Sequence, residues 1–122
     1  MRILLIDGQG GQLGAQLVRS IAAKFPAAEL TAVGTNATAT AAMLKAGAKR
    51  AATGENPVVL ACRRADVIVG PIGIVIADSM LGEVTPRMAV AVGQADGFFI
   101  RNVFFLLKMQ CLAKACGFDS FH

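Results

Sequence analysis

Four short stretches carry the residue types that could do chemistry: Asp7-Gly8-Gln9-Gly10-Gly11, Gly34-Thr35-Asn36, Thr53-Gly54-Glu55-Asn56 and Gly70-Pro71-Ile72-Gly73. Each is small, polar and rich in exposed backbone, and each follows a short run suited to a strand. The first lies within "IDGQGGQLG", which holds four glycines in nine residues. A dinucleotide fingerprint G-x-G-x-x-G would need its third glycine where Leu13 stands. The spacing of Gly8, Gly11 and Gly14 instead fits the variant G-x-x-G-x-x-G. In that reading Gly8 and Gly10 permit a tight turn with positive φ. Gly11 lets backbone N–H groups approach a pyrophosphate at a helix N-terminus, and Gly14 lets helix and strand pack closely. A glycine-rich turn without a ligand has the same appearance.

A dinucleotide site needs more than the turn. The second strand of an NAD-binding half ordinarily ends on an acid that holds the ribose hydroxyls, and here that place is Gly34-Thr35-Asn36. It offers neither an acid for NAD nor an Arg for a 2′-phosphate. Thr35 and Asn36 can hydrogen-bond a ribose, or simply cap the next helix. Asp7, at the end of the first strand, and Asp78 are the candidate acid/base or Mg²⁺-ligand residues. Glu55 and Glu83 each stand just ahead of an expected helix, where a capping or dipole role is the simpler expectation. The only histidine, His122, is the last residue shown, so a Ser-His-Asp or Cys-His site is not expected. No G-K-[ST] follows the glycines, which excludes a P-loop.

Periodicity supplies the elements that must position these residues. Arg2–Ile6 reads as a buried strand and Gln12–Phe25 as a helix, with Leu13, Leu17, Val18, Ile21, Ala22 and Phe25 at helical spacing and Pro26 as a stop. Leu30–Val33 is a second strand. A helix follows to Ala46, capped by Thr35 or Asn36, with Gly47 at the left-handed C′ position. Lys49–Ala52 is a short third strand. Asn56-Pro57 has the form of an N-cap and first helical residue for a helix over Pro57–Arg64, although Val58-Val59-Leu60 equally suit an extended run. Val67–Val69 is a buried strand, and Ile74–Leu81 is read as helical, stopping near Gly82. Thr85-Pro86 opens a helix to about Gly93. Phe98–Leu107 is read as a last strand and Lys108–Cys116 as a short helix. Alternating strands and helices predict one Rossmann-like, three-layer α/β domain over residues 1–122, with a parallel sheet of four or five strands in the order 3-2-1-4-5.

Composition agrees with that class. The chain has 122 residues and is 55% hydrophobic without Trp or Tyr, as a parallel sheet buried on both faces requires. The excess of apolar residues also suits an oligomer interface. Twelve basic residues against eight acidic give a net charge of +4, but they are scattered and not interleaved with aromatics, so no nucleic-acid partner is expected. Cys62, Cys111 and Cys116 lack C-x-x-C spacing, and free thiols in a reducing cytoplasm are the expectation, with no metal site. The longest apolar run, Val67 to Ala77, is too short to span a bilayer.

The stretches "IDGQGG", "GTNATATAAMLKAGA", "ATGEN" and "GPIGIVIADSMLGEVTP" together resemble a family of short, functionally uncharacterised bacterial proteins, a domain of unknown function. The resemblance runs from about Met1 to Ala95. It implies a Rossmann-like fold and no particular activity. The ending departs from that pattern: six of the seven Phe residues lie after Gly97. That is what a reading-frame change near Ala95–Gly97 would produce.

In an open parallel sheet a ligand sits at the carboxyl ends of the strands, where the strand order reverses. The four polar stretches should therefore converge on one edge. The expected function is binding of a phosphate-bearing small molecule there, with NAD(P) or another nucleotide as the candidate cofactor, with or without Mg²⁺. A non-catalytic regulatory or assembly subunit acting as a homo-oligomer is the first alternative. A small enzyme on a phosphorylated metabolite is the second.

Overall fold

The computed structural model describes residues 1–100. Its strands are β1 (Arg2–Asp7), β2 (Glu29–Gly34), β3 (Arg50–Thr53), β4 (Val67–Val69) and β5 (Phe98–Ile100). Its α-helices are α1 (Gln12–Lys24), α2 (Ala37–Lys45), α3 (Glu55–Cys62) and α4 (Pro86–Gly93). All strand pairs are parallel, in the order β3-β2-β1-β4-β5, as the alternation of elements predicts. The remainder of the expected last strand and the helix Lys108–Cys116 lie outside the described residues.

Strand parity explains the three layers. Along β1, Ile3 and Leu5 join a core with Leu17, Val18 and Ile21 of α1 and Met43 of α2. Leu4 and Ile6 point the other way, into a core with Val58 of α3 and Met88 and Val92 of α4. Successive side chains of a strand alternate between faces, so an all-apolar strand demands cover on both sides. Burial of each large side chain contributes roughly 1.5–3 kcal/mol. Parity also settles the next residue: Asp7 shares a face with Ile3 and Leu5, which turns its carboxyl beneath α1.

Three expected local features differ. The stretch read as a helix over Ile74–Leu81 is a 3₁₀ turn, Ile72–Val75, followed by consecutive turns. Asp78, Met80, Leu81 and Gly82 all have positive φ, which no α-helix accommodates. Gly54, rather than Asn56, caps α3, so Asn56 lies in the first turn and Pro57 at its third position. The proline's missing N–H costs nothing there, because the first turn has no intrahelical acceptors for its donors. In the glycine turn the positive φ values fall on Gln9 and Gly11, not on Gly8 and Gly10.

Candidate functional site

The tip of β1 runs into a turn closed by Gly11 N–H donating to the Gly8 carbonyl at 3.0 Å. Gly11 is the N-cap of α1 and offers no side chain to it. Asp7 fills that role from the strand: its Oδ2 accepts the Gly14 N–H at 2.7 Å. Asp7 is only 5% exposed. Burial raises its carboxyl pKa, the backbone N–H groups of Gly14 and Gly8 oppose that shift, and neighbouring Glu83 adds to it. Asp7 therefore serves the first turn of α1, with its carboxylate engaged. Asp78 lies exposed on the turn segment. Among the described residues no group of three or more His, Cys, Asp or Glu could hold a metal ion.

The glycines of the turn answer to packing in detail. A Cβ on Gly14 would meet Asp7 Cβ at 2.8 Å and Met43 Sδ at 2.7 Å. On Gly11 it would lie 2.7 Å from the Ala39 Cα, so that glycine admits the backbone of α2. Gly10, by contrast, has nothing closer than 4.0 Å and is exposed. The N–H groups of Gly10, Gln12 and Leu13 donate to no described group. They form the open N-terminal end of α1, where the helix dipole favours an anion.

Glu83 is the residue that the sequence places least well. Expected to serve the start of α4, it leaves that role to Thr85, whose side chain accepts the Met88 N–H. Its Oε1 instead takes three hydrogen bonds: from Gln9 N–H at 2.8 Å, Thr35 Oγ1 at 2.6 Å and Asn36 Nδ2 at 2.8 Å. The Thr35 hydroxyl, then the Gln9 N–H, hold its carboxyl below the ordinary range, against a smaller effect of burial and with help from Asn36. Two signals for this existed in the sequence: the hydroxyl and amide donors of the Thr35-Asn36 pair, in need of an acceptor, and a glycine at position 8. A Cβ at Gly8 would stand 2.9 Å from Glu83 Oε1 and 2.5 Å from Thr35 Oγ1. Gly8 thus makes room for the incoming carboxylate.

The other expected residues fall along the same carboxyl edge of the sheet. Asn36 caps α2 through Ala39 N–H and donates to the Gln9 carbonyl at 3.0 Å. Thr35 N–H donates to the Asp7 carbonyl, and Gly54 N–H to the Gly34 carbonyl. Thr53 and Thr40 share a hydroxyl–hydroxyl hydrogen bond at 2.6 Å. Gly70, at the end of β4, packs against the Ile6 carbonyl, where a Cβ would come within 2.5 Å. Gly73 faces Ser79 and Met80. Pro71 and Ile72 belong to the same crossing, with Ile72 exposed. Glu55 departs from the group and pairs with Arg87 at 3.5 Å, and Asn56 is exposed beside it.

A cavity of about 620 Å³ lies away from this edge, on the α3 face, lined by Arg2, Glu29, Arg50, Leu60, Arg63 and Arg64 among others. Two of its arginines, Arg2 and Arg50, already engage Glu29 at 3.4 and 3.6 Å. It runs along the α3 face of the sheet, from Arg2, Glu29 and Arg50 at the starts of their strands to Val33 and Ala52 near the ends of theirs. Cys62 is buried, which pushes its thiol up to about 11 and leaves it protonated and inert at neutral pH. Cys111 and Cys116 lie outside the described residues.

The strand order, the glycine turn between β1 and α1, and the reversal between β1 and β4 define a Rossmann-like, doubly wound α/β protein. The chain belongs to the family described as a domain of unknown function (DUF3842), whose pattern matches residues 2–110 and so extends past Ala95, the expected end of the resemblance. No curated protein and no solved structure matches it.

Proposed function

We propose that this protein binds a phosphate-bearing nucleotide at the carboxyl edge of its sheet, between the β1–α1 turn and the segment after β4. The observation that carries this reading is the open N-terminus of α1. Gly10, Gln12 and Leu13, at the strand-order reversal, present N–H groups that donate to none of the described residues. A phosphate or pyrophosphate there would complete the first turn of α1 and meet the positive end of its dipole. Thr35 and Asn36 border the same place and are fixed by Glu83. A thermal-shift panel of inorganic pyrophosphate, ADP, ATP, GTP, NAD and NADP, with and without Mg²⁺, tests it. A ligand at 100 times its Kd adds roughly 2.7 kcal/mol of stability. A shift with pyrophosphate-bearing members supports the reading, and silence across the panel overturns it.

A second reading, an assembly subunit, is favoured by one feature. Ile72, Ile76 and Leu81 project from the crossing segment, Leu81 at 97% exposure, and an apolar strip of this kind suits a protein surface. Under this reading the panel is silent and the chain sizes as an oligomer that Leu81→Ser dissociates.

A further inference from the structure

The geometry points to Glu83 as the acceptor of a ribose diol, supplied from the far side of the sheet in place of an acid at the end of β2. This rests on the nucleotide reading of the edge. The tip of β2 is Gly34-Thr35-Asn36 and has no carboxylate of its own. Glu83 brings one there from the segment ahead of α4, through a chain of turns in which Asp78, Met80, Leu81 and Gly82 adopt positive φ. All three of its hydrogen bonds fall on Oε1. Oε2 accepts none from the described residues.

A carboxylate anchored by one oxygen, with no described donor on the other, is suited to neighbouring hydroxyls. Each O–H donated to it is a charge-assisted hydrogen bond, stronger than one between neutral groups. The anchoring donors are the Gln9 N–H and two neutral side chains, with no Lys or Arg among them. A phosphate on the 2′-oxygen would therefore face a like charge without a compensating cation. The ligand class that follows is a ribonucleotide with free 2′- and 3′-hydroxyls: NAD rather than NADP, and ADP rather than 2′-deoxy-ADP. Gly8 belongs to the same device, because any larger residue would displace the carboxylate.

Calorimetric titration of the full chain with ADP, 2′-deoxy-ADP, NAD, NADP and inorganic pyrophosphate tests the assignment. ADP should bind about tenfold tighter than 2′-deoxy-ADP, roughly 1.4 kcal/mol, and NAD should exceed NADP by at least as much. In Glu83→Gln the ADP advantage should shrink severalfold while pyrophosphate binding persists. Equal affinities for ADP and 2′-deoxy-ADP in the unsubstituted protein would overturn the diol assignment and leave the phosphate reading standing. Absence of binding by every ligand, pyrophosphate included, would overturn both. If Glu83→Gln does not fold, the two nucleotide pairs on the unsubstituted chain decide the matter alone.

Discussion

Two carboxyl groups, Asp7 and Glu83, sit close enough to influence one another and are driven in opposite directions. Asp7 is buried, so its ionised form is penalised and its pKa lies above 3.8. Glu83 is held by three donors and lies below 4.5. The signs for stability follow. Glu83 contributes stability that is present above pH 4.5 and is lost as pH falls through its depressed folded value. Asp7 acts the other way: the folded state takes up its proton first, so folding gains from Asp7 as pH falls through the raised value toward 3.8. Carboxyl ¹³C titration should find Asp7 titrating above its ordinary range and Glu83 below its own, and Glu83→Gln should lower the Asp7 value. Mutation separates a capping role for Asp7 from a chemical one. Asp7→Ala leaves the Gly14 N–H unpaired and should cost about 1 kcal/mol in urea unfolding. Asp7→Asn keeps an acceptor and removes the buried charge, so its loss should be smaller. A larger loss for Asn than for Ala would contradict this account of Asp7.

At the scale of elements, legibility followed the range of the physics involved. Arg2–Asp7 and Gln12–Lys24 are governed by their own periodicity, and Asn36, Thr85 and Gly47 announce their caps and stop locally. The segment after β4 does not. Its Ile, Val, Met and Leu residues suggest a helix, yet it must cross to the β2 tip and deliver Glu83, and turns with positive φ accomplish that. The acid at the edge was likewise hidden because a residue far along the chain supplies what the second strand lacks. The glycines sort by the same criterion. Gly11 has φ +72 and the backbone of α2 directly beside it, so Gly11→Ala combines left-handed strain with a clash. That substitution should cost about 1–3 kcal/mol or more. Gly10→Ala should be nearly neutral for folding, since a Cβ there would meet no residue beyond its chain neighbours closer than Gln12 Cγ at 4.0 Å. Thermal unfolding of the two variants checks the contrast, and equal losses would contradict the packing role given to Gly11.

At the scale of the molecule, the sheet divides its surface into unequal ends. The carboxyl edge gathers the glycine turn, Thr35, Asn36, Glu83 and Gly70. The groove on the α3 face gathers arginines, two of which pair with Glu29. No helix among the described residues is long and apolar enough to cross a membrane. Strand order and the position of the reversal were readable from the alternation of elements alone, and they place the candidate site before any side chain is considered. Amide NMR of the full chain during titration with ADP tests that placement most directly. The shifts should concentrate at Gly8–Leu13, Thr35, Asn36 and Glu83. Shifts centred instead on Arg50, Arg63 and Arg64, or none at millimolar ADP, would contradict it.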